Sequence, residues 1–165
     1  MLSFPSFQHQ EEHSYSHQQP TQAPTLIQQL IILSAFCKEL ELQSHLIHLN
    51  FRGPAFLSIH AFLKSQYQLH QEQFDTLAEF VLTSGGLMPP TAAELRSTLP
   101  SFSEVDSTDP AATVAVYIDN LALQGEMARN LDATAANARA IDVAHYAAEL
   151  VATSAKAIWF LQASR

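Results

Sequence analysis

One cysteine, four glycines and one tryptophan in 165 residues leave several functions without their materials. The lone thiol, Cys37, cannot form an intrachain disulfide. Its setting, "LSAFCKEL", reads as helix interior, so a buried structural cysteine is expected rather than an activated one. Cations are scarce: eight Lys and Arg stand against sixteen Asp and Glu, a formal net charge of −8. Non-specific affinity for nucleic acid is mostly cation-to-phosphate electrostatics, so this balance opposes phosphate backbones and favours cations as partners. The longest apolar run, "LIILSAFC", is far shorter than the ~20 residues that span a bilayer, and no basic n-region precedes an apolar stretch at the start. A soluble, cytoplasmic protein without membrane contact is the expectation. Charged residues are only 15% of the chain and hydrophobic ones 47%, which points to apolar surface buried between subunits.

Residues 1–23, "MLSFPSFQHQEEHSYSHQQPTQA", contain no Lys or Arg and too little apolar surface to fold alone, so a flexible His- and Gln-rich tail is expected, followed by one domain over 24–165. At Thr25 the pattern changes. "TLIQ" has the form of a capping box, and Leu26, Leu30, Leu33, Cys37 and Leu40 recur at three- and four-residue intervals, predicting a helix to about Asn50. Gly53-Pro54 breaks the chain. Phe56, Ile59, Leu63, Tyr67, Phe74, Leu77 and Val81 predict a second helix of about thirty residues, stopped by Gly85-Gly86.

Residues 87–107, with Pro89, Pro90 and Pro100, read as a crossover in which Thr91-x-x-Glu94 caps a short helix. Asp109 before Pro110 is an N-cap followed by proline at the first helical position, and Val114, Tyr117, Leu121 and Leu131 mark a third long helix. A break is expected at Asn137. The last helix then covers roughly 139–163, with Val143, Tyr146, Leu150, Ala157 and Phe160 inward and Trp159, Phe160 and Leu161 expected to pack. Four long helices with a long link between the second and third predict an all-α four-helix bundle of the crossover kind.

Bundles that hold two irons inside one chain place Glu-x-x-His on two helices, and this sequence has no Glu-x-x-His. Its candidate ligands form two groups. His48 and His60 bracket the Gly-Pro turn in "HLNFRGPAFLSIH", and Asp75 and Glu79 stand one turn apart on the second helix. From His60 to Asp75 is roughly 22 Å at about 1.5 Å per residue, so one chain cannot close the site. Two second helices packed antiparallel about a two-fold axis near Tyr67 would bring His60 of one copy to Asp75 and Glu79 of the other, giving two identical sites per dimer. Imidazole and carboxylate together suit Fe(II), Zn or Mn, and an open position admits an oxidant. Taken alone, Asp75 and Glu79 fit an ordinary solvated face. His45, one turn after Glu41 and one before His48, fits an exposed ion pair as well as a metal and is left outside the site.

These stretches resemble the Dps proteins (DNA-binding proteins from starved cells), which are miniature ferritins. The resemblance lies in "HLNFRGPAFLSIH", continued by "DTLAEFVLTSGG", with "AKAIWFLQAS" near the end, and covers about residues 25–163. It implies a ferritin-like homo-oligomeric cage, a dodecamer, that oxidises Fe(II) to Fe(III) at inter-subunit ferroxidase centres. Hydrogen peroxide is the preferred oxidant and oxygen the other. The cage stores the ferric mineral and thereby protects against oxidative stress. His48, His60, Asp75 and Glu79 fall on the family's ligand positions.

Where the family usually has Asp, one turn after the second histidine, this chain has Lys64, and Leu49 replaces a common Trp. An ammonium has no lone pair for a metal, so Lys64 reads as a counter-ion occupying the second iron position and slowing pairwise oxidation. The family's acidic pore corresponds to Asp142, His145 and Glu149 in "DVAHYAAE". A mixed Asp and His pore attracts cations and responds to pH, and a plain surface is the alternative. His9, His13 and His17 recur every four residues and would align on a helix to chelate a soft or borderline metal; a disordered tail is the blander account. With no cation in the tail and only Arg165 at the end, DNA binding is not expected. The rival function is a non-enzymatic cage holding one structural Zn or Fe per site.

Overall fold

Thr25 closes a capping box at the start of α1 (Leu26–Asn50). Its side chain accepts from the Gln28 N–H, while Gln28 Oε1 accepts from the Thr25 N–H, so two of the donors that a helix start leaves open are satisfied. The computed structural model describes residues 24–164; residues 1–23, with His9, His13 and His17, and Arg165 lie outside the described residues. The Gly53-Pro54 corner, with Gly53 at φ 120°, turns the chain into α2 (Phe56–Thr83). Gly85 ends that helix at φ 82°, a conformation that costs side-chain-bearing residues dearly. Next to it, a Cβ on Gly86 would lie 2.9 Å from Ile27 Cγ2, so the end of α2 is pressed against the start of α1.

The crossover carries α3 (Ala92–Ser97), capped by Thr91, and Arg96 fastens it down by reaching Glu39 at 2.6 Å and Glu104 at 2.9 Å. Asp109 accepts from the Ala112 N–H to start α4 (Pro110–Ala138), with Pro110 at the first position. The break expected at Asn137 falls instead at Arg139. Asn137 is helical, and Arg139 takes the left-handed conformation at φ 59° before α5 (Ile141–Ala163) begins. No glycine marks that corner. Trp159 is a second correction: it is 64% exposed, while Phe160 stacks on Phe62 at 4.2 Å and Leu161 is fully buried. The inward positions of α5 run 143, 147, 150, 154, 157 and 161, which puts residue 159 on the far side.

α1 pairs with α2, α4 pairs with α5, and α1 packs on α4, which is the crossover bundle. Among the described residues no helix is long and apolar enough to cross a membrane. Two apolar clusters fill the interior, one around Phe36, Leu40, Leu63 and Tyr117, the other around Leu33, Leu77, Val81 and Leu150. Between them lies a polar layer. His70, fully buried, donates from Nδ1 to Gln73 Oε1 at 2.8 Å and accepts at Nε2 from the Tyr117 hydroxyl at 2.8 Å. Gln124 donates to Gln73 at 2.9 Å and to Cys37 Sγ at 3.3 Å, and accepts from Ser154 at 2.9 Å. Cys37 is buried as expected, and burial pushes its thiol up to about 12, which makes it inert.

Burial holds the His70 imidazole down at about 4, against an opposing hydrogen bond to Gln73. A histidine kept neutral in the folded chain contributes its full stability above its unfolded value of 6.5 and loses it as pH falls towards about 4. The gap corresponds to roughly 3 kcal/mol. At fixed protein concentration, wild type should therefore lose about 2 kcal/mol more than His70→Gln between about pH 7.5 and about pH 5. Denaturant unfolding measures this, and equal losses in the two proteins would refute it.

Candidate metal centre

The Gly53-Pro54 corner folds the last turn of α1 onto the first turns of α2, and His48 and His60 meet there. Their rings stack with centroids 3.7 Å apart and planes 22° from parallel. Each donates from Nδ1 to the other's backbone carbonyl, His48 to His60 O at 2.8 Å and His60 to His48 O at 3.0 Å. A carbonyl oxygen only accepts, so both Nδ1 atoms carry protons, and the nitrogen that a metal can take on each ring is Nε2. Imidazoles that bind metals are commonly oriented this way, through the nitrogen that does not bind. Phe56 stacks on the outer side of His60 at 4.8 Å, and Tyr67 meets His48 edge-on at 5.6 Å.

Farther along α2, Asp75 and Glu79 are exposed, as is Lys64, and none of the three forms an ion pair among the described residues. His60, Lys64, Tyr67 and Asp75 fall within roughly 80° of arc on that helix, with Glu79 about 40° beyond. Within one chain the imidazoles are brought together and the carboxylates are not: among the described residues no three His, Cys, Asp or Glu gather at one point. Leu49 is exposed beside His48. On α5, Asp142, His145 and Glu149 are exposed, with His145 Nε2 at 3.2 Å from Glu149 Oε1. His45 corrects the sequence reading. Glu41 pairs with Lys38 at 2.7 Å, and His45 stacks instead on Tyr67, 4.2 Å between centroids. The apolar periodicity gives Tyr67 and Phe56 no role as neighbours of the histidines; their spacing from His60, seven and four residues, is the signal that places them on its face of the helix.

The family model described as a ferritin-like domain matches residues 34–164. The chain belongs to the ferritin-like family. Its fold is that of several solved relatives. Dps from Listeria monocytogenes shares 18% identity at a TM-score of 0.80, over 87% of this chain and 95% of that one. Antigen TpF1 from Treponema pallidum shares 24% at 0.78, over 84% and 90%. Dps from Vibrio cholerae O1, described as a member of a broad superfamily of ferritin-like diiron-carboxylate proteins, shares 20% at 0.76, over 84% and 87%. No curated protein matches the chain significantly in sequence.

Ferritin-like di-iron bundles use inward-projecting Glu and Glu-x-x-His ligands. Among the described residues, the interior of this ferritin-like chain holds no such set. Among the described residues no carboxylate is buried, and the layer at mid-bundle is occupied by Cys37, His70, Gln73, Gln124 and Ser154, bonded to one another. Among the described residues, the candidate centre is left with the two imidazoles at the corner and the exposed carboxylates of α2.

Proposed function

We propose that this chain is a Dps-type member of its family, a closed homo-oligomeric cage. It takes Fe(II) as substrate, oxidises it at centres shared between two subunits, and keeps the ferric product inside. The observation that carries this reading is the His48–His60 pair. Its reciprocal hydrogen bonds leave two Nε2 lone pairs with no third ligand among the described residues of their own chain. Asp75 and Glu79, on the same face of α2, supply that ligand only from a second copy. Exposed Leu42, Leu46, Leu57 and Trp159 give the protomer apolar surface for neighbours.

In this reading His60 with the neighbour's Asp75 and Glu79 holds one iron, His48 flanks it, and Lys64 sits where a second would bind. Peroxide accepts two electrons and two protons to become two waters, whereas each Fe(II) gives one electron, so a centre with one iron works through successive irons. Asp142 and the His145–Glu149 pair are the cation path into the cage, a cytoplasmic location fits the chemistry, and DNA is not a partner. A single structural Zn or Fe per site, without turnover, is the competing reading, favoured by Lys64. Two measurements test the proposal. The purified chain should run as a closed assembly of about twelve subunits, and peroxide should speed its oxidation of Fe(II) well beyond oxygen alone. A stable monomer at micromolar concentration, or one tightly held zinc and no turnover, would overturn it.

A further inference from the structure

We infer that His45 and His48 form a second cation position, lying wholly within one protomer beside the shared centre. It takes a divalent metal that favours imidazole, such as zinc. The inference rests on the reading above only in placing His48 at that shared centre. The two residues stand three apart on α1 and so on one helix face. Their ring centroids are 6.1 Å apart, with planes at 52°. A metal–nitrogen bond of about 2.1 Å places each ring centre about 3.2 Å from the ion, so two imidazoles on one ion stand roughly 5–6.4 Å apart. The observed separation lies at the wide end of that window; a tetrahedral ion, with ring centres about 5.2 Å apart, asks the exposed His45 side chain to close by roughly 1 Å while both backbones stay in place.

Both rings are already held. His48 is fixed by its Nδ1 bond to the His60 carbonyl, and His45 by its stack on Tyr67 at 4.2 Å and 25°. His45 is exposed, and among the described residues its ring nitrogens make no hydrogen bond, while the adjacent Glu41 is engaged by Lys38. Two imidazoles therefore supply the protein ligands and water fills the rest. His48 has one free lone pair, at Nε2. It serves one ion at a time, so within a protomer the His45 position and use of His48 at the shared centre exclude each other. His45 is then a landing position for a cation arriving from solvent, with His48 as the group common to both positions.

The test is equilibrium titration with zinc alone, on the full chain with His9, His13 and His17 changed to Ala to silence the tail. In an Asp75→Asn, Glu79→Gln background, which disables the shared centre, one zinc per chain should still bind. Adding His45→Phe should weaken that zinc by roughly tenfold or more, because one of two nitrogen ligands is gone. Phenylalanine keeps an aromatic ring over Tyr67, so the loss reports the imidazole nitrogens and not packing. Unchanged zinc affinity in the His45→Phe chain, or no zinc at all in the parent background, overturns the inference. Failure of the shared-centre reading looks different: there Asp75→Asn, Glu79→Gln would bind zinc just as the unaltered carboxylates do, whatever happens at His45.

Discussion

Chains carrying His60→Ala and chains carrying Asp75→Asn should each be poor at peroxide-driven Fe(II) oxidation, yet recover about a quarter of wild-type activity when the two are co-expressed. Each alone should lose at least the roughly 10–100-fold that removing even an outer partner of a metal ligand costs. The recovery follows from the proposed two-fold geometry. With random pairing, half of the dimers contain one chain of each kind. In such a dimer one centre combines both lesions, and the other takes its His60 and its Asp75 from unaltered positions. One intact centre in half of the dimers is a quarter of all centres. Were the site built inside one chain, every centre would keep a lesion and mixing would restore nothing. The 22 Å or so of helix between the two residues is the physical reason to expect recovery.

What could be read from the residues alone was what depends on near neighbours. The capping box at Thr25, the Asp109-Pro110 start and the Gly85-Gly86 stop each act within a few residues, and the helices begin and end where those signals place them. The Arg139 corner was missed because nothing in its composition distinguishes a left-handed arginine from a helical one. The mid-bundle layer was missed for a different reason. His70, Gln73 and Gln124 are polar and carry no apolar signal, yet they are buried because Gln124 on α4 and Tyr117 on α4 satisfy Gln73 and His70 on α2, about fifty residues away in sequence. At the site, the Gly-Pro turn grouped His48 with His60 as candidate ligands. It could not foretell that each ring would be locked by the other's carbonyl, nor that His45 would leave Glu41 for Tyr67. Asp75 and Glu79 entered through helical spacing and the likeness to Dps, since the centre proposed for them draws its other ligands from a second copy.

Lys64→Asp should raise the iron bound per shared centre from about one towards about two, and with it the rate of peroxide-driven oxidation by roughly tenfold. Lys64 is exposed on the arc of α2 that carries His60 and Asp75, one turn from His60. In the proposed centre its ammonium would place a positive charge where a second iron needs ligands, and its three N–H bonds leave no lone pair to offer one. A carboxylate there reverses both effects: the repulsion of a second cation disappears and two ligand oxygens arrive. With two irons side by side, peroxide takes both of its electrons in one encounter. The control is His60→Ala in the Lys64→Asp background, which should abolish the gain, because the new carboxylate lies one turn from that imidazole and shares its metal. Circular dichroism should show the same helix content throughout, since residue 64 faces out of the bundle. If iron count and rate stay at wild-type values in Lys64→Asp while His60→Ala still impairs oxidation, Lys64 points away from the centre. The limit on pairwise oxidation must then lie elsewhere, with the loss of an aromatic at Leu49 the next position to restore.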